Sequence, residues 1–112
     1  MTPTPARGEL PPGSLEMLIL QTLTLDSLHG YAIAQHILRR SDDVLRVEQG
    51  SLYPALDRLQ RKGWVVSDWR LTPTKRRARY YTITDSGREQ LREELERYER
   101  IARAMSRVLG PA

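Results

Sequence analysis

Eight cations crowd residues 58–79: Arg58, Arg61, Lys62, Arg70, Lys75, Arg76, Arg77 and Arg79, opposed there only by Asp68. Like charges at this density repel one another unless an anion relieves them, which points to a polyanionic partner; a solvated basic face is the alternative. The remainder of the chain sharpens the bias. From Thr84 onward six Arg meet six acids, so the formal net charge of +4 belongs to residues 1–83. Catalytic chemistry has less to draw on. There is no Cys, which excludes disulfides, iron–sulfur clusters and thiol catalysis. His29 and His36 lack the neighbouring acids or second ligand pair that a metal site needs. No nucleophile elbow, phosphate loop or matched His–acid–nucleophile set occurs, so neither an enzyme nor a cofactor is expected.

The elements that carry these cations follow from periodicity. The chain has 112 residues, 39% of them hydrophobic, which is one small domain whose core a partner subunit could complete. Residues 1–13, rich in Pro and Gly, read as a flexible N-terminal arm with no signal-peptide character, and the expected location is cytoplasmic. No run of about 18 apolar residues offers a membrane span, so no membrane partner is expected. A first helix should start with Ser14 as its cap and run to about Leu25, apolar on nearly every side, with Leu18 among the residues left for a second subunit. Asp26–Gly30 reads as a turn. A second helix over Tyr31–Arg40 carries Ile33 and Ile37 inward. Val44–Val47 reads as a short extended stretch. A third helix over about Gly50–Lys62 buries Leu52, Ala55, Leu56 and Leu59, and Pro54 keeps its start no earlier than about Gln49. Strands over Trp64–Leu71 and Ala78–Ile83 make a hairpin with a basic tip, in which Trp64 and Trp69 point to opposite faces. Thr84 caps a last helix.

That last helix holds Leu91, Leu95, Tyr98, Ala102, Met105 and Leu109 at alternating steps of four and three, an apolar seam suited to a partner helix. Glu93–Arg97, Glu96–Arg100 and Glu99–Arg103 are spaced for ion pairs along it. The fold class is therefore α+β, mainly α: a winged helix-turn-helix over residues 14–83 followed by a long C-terminal dimerisation helix over 84–109. Such a unit suits double-stranded DNA, because a helix fits the major groove and a basic hairpin reaches the adjacent backbone. A winged helix used as a protein-interaction module, without specific DNA binding, is the alternative function.

On this reading the candidate DNA contacts divide by place. Gln49 and Ser51 open the third helix, where base contacts originate, or else they cap it. Arg58, Arg61 and Lys62 lie further along, for phosphate contact or solvation. Lys75, Arg76, Arg77 and Arg79 form the wing. Tyr31, at the start of the second helix, is placed to meet a phosphate there.

Four stretches then carry a family resemblance: GSLEMLIL at 13–20, LHGYAIAQHI at 28–37, EQGSLYPALDRLQRKGWV at 48–65 and RRARYYTITDSGREQL at 76–91. Together they resemble the PadR family of bacterial transcriptional regulators. The resemblance implies a winged-helix homodimer that binds an inverted-repeat operator, usually as a repressor, and it sets Tyr53 at the DNA interface. The single last helix is similar to that of the short subfamily, whose members dimerise through it. A small-molecule effector, if one acts, is expected at the dimer interface; where drug-sensing short members carry a Trp on the last helix, this chain has Tyr98.

Overall fold

The computed structural model describes residues 10–11 and 13–111, in the order α1 (Ser14–Leu23), β1 (Leu28–His29), α2 (Gly30–Arg40), α3 (Gln49–Arg61), β2 (Val65–Leu71), β3 (Arg77–Ile83) and α4 (Asp85–Leu109). The expected arm lies outside the described residues apart from Leu10, Pro11 and Gly13. Gly13, rather than Ser14, holds the cap position of α1, with φ 83°, and no side chain caps that end. The helix stops at Leu23, short of Leu25, whose side chain is exposed.

Ile19, Leu20 and Leu23 of α1 meet Ile33 and Ile37 of α2 and Leu52, Ala55, Leu56 and Leu59 of α3 in one core, closed below by Val65, Tyr81, Ile83 and Leu91. Each helix contributes the stripe that its three- and four-residue spacing predicts. Burial raises the pKa of the Tyr81 phenol and Arg79 opposes the shift, so it packs as a neutral group.

The sheet has three strands in the order β1-β3-β2, all antiparallel. This corrects the sequence reading in two places. The expected turn at 26–30 contains β1, where Leu28 pairs with Tyr81 and His29 with Tyr80. The expected extended stretch at 44–47 joins no sheet. There Leu45 and Val47 lean on the core and Val44 is exposed, because no strand edge lies beside them. Its path is set instead by Ser41, whose hydroxyl donates to the Leu38 carbonyl at 3.1 Å and accepts from the Leu45 N–H at 2.9 Å.

One joint fixes α4 to the winged unit. The Thr84 hydroxyl accepts from the Gly87 N–H at 3.0 Å and donates to the Gly63 carbonyl at 2.7 Å, just past the end of α3. A Cβ on Gly87 would lie 2.1 Å from the Trp64 carbonyl oxygen, so only glycine lets the first turn of α4 close on the start of β2. Beyond Leu91 the helix leaves the core. Of its 25 residues only Gly87 and Leu91 are buried. Arg97 pairs with Glu94 at 3.1 Å and Arg92 with Glu89, three residues apart in each case rather than the four expected of Glu93–Arg97, Glu96–Arg100 and Glu99–Arg103. Neighbours at either spacing are within reach on a helix surface.

Candidate nucleic-acid interface

Helix α3 presents two different surfaces. Gly50, Pro54, Asp57 and Arg61 follow one another down the side opposite the buried Leu52, Ala55, Leu56 and Leu59. Arg61 is there, bridged to Asp57 at 3.1 Å, both well exposed. An exposed pair of this kind is worth at most about 1 kcal/mol, so a phosphate can compete for the guanidinium. Ser51, Arg58 and Lys62 instead turn toward a cleft between α1, α3 and α4. Arg58 is engaged: its Nε donates to Glu16 Oε1 at 3.0 Å, tying α3 to the start of α1. Lys62 sits 4.8 Å from the Trp64 ring centroid. Glu48 holds the cap position of α3, and neither Gln49 nor Ser51 makes a side-chain hydrogen bond among the described residues, so neither serves as its cap. Gln49 is exposed at the helix start.

The N-terminus of α2 adjoins that helix. His29 caps it, its Nδ1 accepting from the Ala32 N–H at 3.2 Å, a role that the sequence reading did not assign. Tyr53 reaches across from α3 and covers Gly30, where a Cβ would come 2.7 Å from the tyrosine hydroxyl. Tyr53 is thus half packing residue and half surface, at 45% exposure, and Tyr31 beside it is exposed and stacked at 6.5 Å on His29. The motif pieces LHGY and SLYP therefore meet in space: glycine on one helix makes room for tyrosine on the next.

The wing is sided. Register pairs Trp69 with Arg79 and Leu71 with Arg77, on the same hairpin face as Val65, Tyr81 and Ile83, which pack toward α3. Ser67 on that face donates to Gln60 Oε1 of α3 at 3.0 Å. Further out, Trp69 carries two cations: the Arg77 and Arg79 guanidinium carbons lie 5.1 and 5.2 Å from its ring centroid. Arg70, of opposite parity, lies against Tyr80 and is neutralised by Asp68 at 2.9 Å. The one acid of the basic stretch is spent on the far face. Among the described residues Lys75, Arg76, Arg77 and Arg79 make no ion pair, and all four are exposed. At the tip, a turn closes with the Lys75 N–H on the Thr72 carbonyl and the Thr72 N–H on the Arg76 carbonyl, both at 2.8 Å, and holds Lys75 at φ 66°.

Comparison with known proteins decides what this arrangement belongs to. Residues 19–93 match the transcriptional regulator PadR-like family. The chain belongs to the PadR-like family of transcriptional regulators. It is 34% identical over 97 residues to a transcriptional regulator of Mycobacterium tuberculosis, covering 87% of this chain and 84% of that one. To the negative transcriptional regulator PadR of Bacillus subtilis it is 29% identical over 87 residues, 78% of this chain and 48% of that longer protein. Among solved structures, a transcriptional regulator from Clostridium thermocellum superposes with a TM-score of 0.80 at 26% identity, covering 88% and 95% of the two chains. A PadR-like regulator from Bacillus cereus gives 0.77 at 26%, covering 89% and 95%. The fold is thus the winged helix of DNA-binding PadR-like regulators.

In this PadR-like chain the residues expected for dimerisation fall into two sets. Leu91 is buried in the protomer's own core, and Leu95 and Leu18 pack at its edge. Ala102 is half-buried, whereas Tyr98, Met105 and Leu109 stand exposed on the free half of α4, joined by Ile101 and Val108. Tyr98 and Ile101 face the cleft of about 1000 Å³ that Leu15, Met17 and Trp64 also line. No helix among the described residues is long and apolar enough to cross a membrane.

Proposed function

We propose that this protein is a cytoplasmic, homodimeric repressor that binds an inverted-repeat operator in double-stranded DNA. The winged unit of residues 14–83 reads DNA and the helix of 84–109 holds two such units together. The observation that carries the reading is the one-sided charge: the unpaired strand cations of the wing, Arg77 and Arg79, lie on the face that continues α3, with Lys75 and Arg76 at the tip beyond them, and the only acid between residues 58 and 79 is paired on the other face. Gln49 at the helix start, with Tyr53, serves base and sugar–phosphate contact, and Ser51 adds to it from the cleft side of the same helix end; Arg61 and the wing residues Lys75, Arg76, Arg77 and Arg79 serve phosphates, as does Tyr31 at the start of α2. Arg58 and Lys62 join them only by giving up Glu16 and Trp64. The exposed Val108 and Leu109 would each gain up to about 1.5–3 kcal/mol on full burial, and the half-exposed Tyr98, Ile101 and Met105 less, which supports a partner copy along α4. A small-molecule effector would act at that interface by changing the separation of the two recognition helices. No catalytic activity is part of the proposal.

The test is a mobility-shift titration with duplex DNA from the protein's own promoter, alongside sedimentation of free protein and complex. Retardation by two protomers per site, resistant to competing random duplex, is the expected result. Binding that random duplex competes away equally well would leave a basic module without an operator.

A further inference from the structure

Trp69 has no place in the core. It stands on the wing at 55% exposure, next to Leu71 at 65%, a position where more than half of the residue's surface stays in contact with solvent. Two cations lie against its ring, Arg77 at 5.1 Å and Arg79 at 5.2 Å from the centroid. Arg79 is its direct cross-strand partner and Arg77 lies one pair further on the same face. Each guanidinium is held by the ring quadrupole, within the distance at which that attraction operates. A guanidinium held by an aromatic face keeps its planar fork of N–H donors for a second, in-plane partner. Among the described residues no carboxylate takes that position; Asp68 projects from the other face and is occupied by Arg70.

We propose that Trp69 is a positioning residue for DNA binding: its ring gathers Arg77 and Arg79 on the α3 side of the wing, so that both guanidinium groups meet the phosphodiester backbone of one duplex already aligned. The proposal rests on the DNA-binding reading above. It also gives the exposed ring a reason, since two long, flexible side chains ordered before binding lose less freedom on contact. Trp64, the other tryptophan, is accounted for by its packing against the core and does not share this role.

The experiment is a thermodynamic cycle in equilibrium DNA titrations at fixed salt, with wild type, Trp69→Ala, Arg77→Ala/Arg79→Ala, and all three changes together. Trp69→Ala should weaken duplex binding about 5- to 100-fold, because binding must then order two free arginine side chains itself. Trp69→Phe should recover most of that. In the background lacking both arginines, Trp69→Ala should change affinity less than about 2-fold, because nothing remains to position. The salt slope should stay near wild type in Trp69→Ala, which keeps every charge, and should fall in the arginine double variant. Full affinity in Trp69→Ala, or an equal loss with and without the arginines, overturns the positioning role while DNA binding stands. Failure of the wild type to bind duplex overturns both. If Trp69→Ala lowers the melting temperature, Trp69→Leu against Trp69→Phe carries the comparison, and equal affinity of those two overturns the proposal.

Discussion

Replacing Lys75 by glycine should make the free protein more stable and bind DNA more weakly. Lys75 sits at φ 66° in the wing turn, the left-handed region in which a Cβ crowds the following carbonyl. Relief of that crowding is worth about 1–2 kcal/mol. Glycine returns about 0.4–1 kcal/mol of this through the greater freedom of the unfolded chain. The net gain is therefore up to about 1.5 kcal/mol, which for a domain of this size raises the melting temperature by up to about 6 °C. The turn survives, because the bonds that close it run between the main-chain groups of Thr72, Lys75 and Arg76. Lys75→Ala is the control: it removes the same charge but keeps the Cβ, so stability stays near wild type. Both variants should lose about 0.9 of the log–log salt slope per bound protomer, the share of one phosphate contact each. The assays are thermal unfolding by circular dichroism and DNA titration at several salt concentrations. A glycine variant less stable than the alanine variant would refute the conformational argument, and unchanged slopes in both would remove Lys75 from the DNA contact.

Three further outcomes follow from single contacts. Gly87→Ala forces a methyl into the Trp64 carbonyl and should cost about 1–3 kcal/mol or more in urea unfolding; wild-type stability would contradict the close packing of α4 on β2. His29→Ala removes the α2 cap and should cost about 1 kcal/mol, while His29→Asn should restore most of it, and equal losses in both would mean that the imidazole acts by packing alone. Met105→Glu sets a carboxylate in the proposed seam and should make the chain sediment as a monomer at micromolar concentration; an unchanged dimer would move the interface off the free half of α4.

The helices and the hairpin were legible because their apolar spacing is local, and Thr84 announced the start of α4 by residue type. β1 was not legible: two residues carry no periodicity, and Leu28 and His29 become a strand only because Tyr80 and Tyr81 lie alongside. Val44–Val47 misled for the converse reason, β-forming residues with no edge to join. At the interface the cations themselves were plain in the sequence, but which of them are free was not. Glu16 engages Arg58 from 42 positions away, and nothing local marks the pair. The sidedness of the wing needed the register, since Trp69, Arg77 and Arg79 share a face only once Trp69 is set opposite Arg79. Leu91 looked like the first residue of the partner seam because its spacing continues that of Leu95 and Tyr98, yet it is the last residue of the protomer's own core.

The central claim is that two winged units, fixed at one separation by α4, read two half-sites on one face of the duplex. Lengthening the DNA between the half-sites of the mapped operator by about five base pairs, half a helical turn, tests it directly, because the second half-site then faces away from its recognition helix. Measured at constant salt, the affinity should fall to that of a duplex carrying a single half-site, while the salt slope per bound protomer persists. Undiminished affinity for the lengthened operator would contradict the claim.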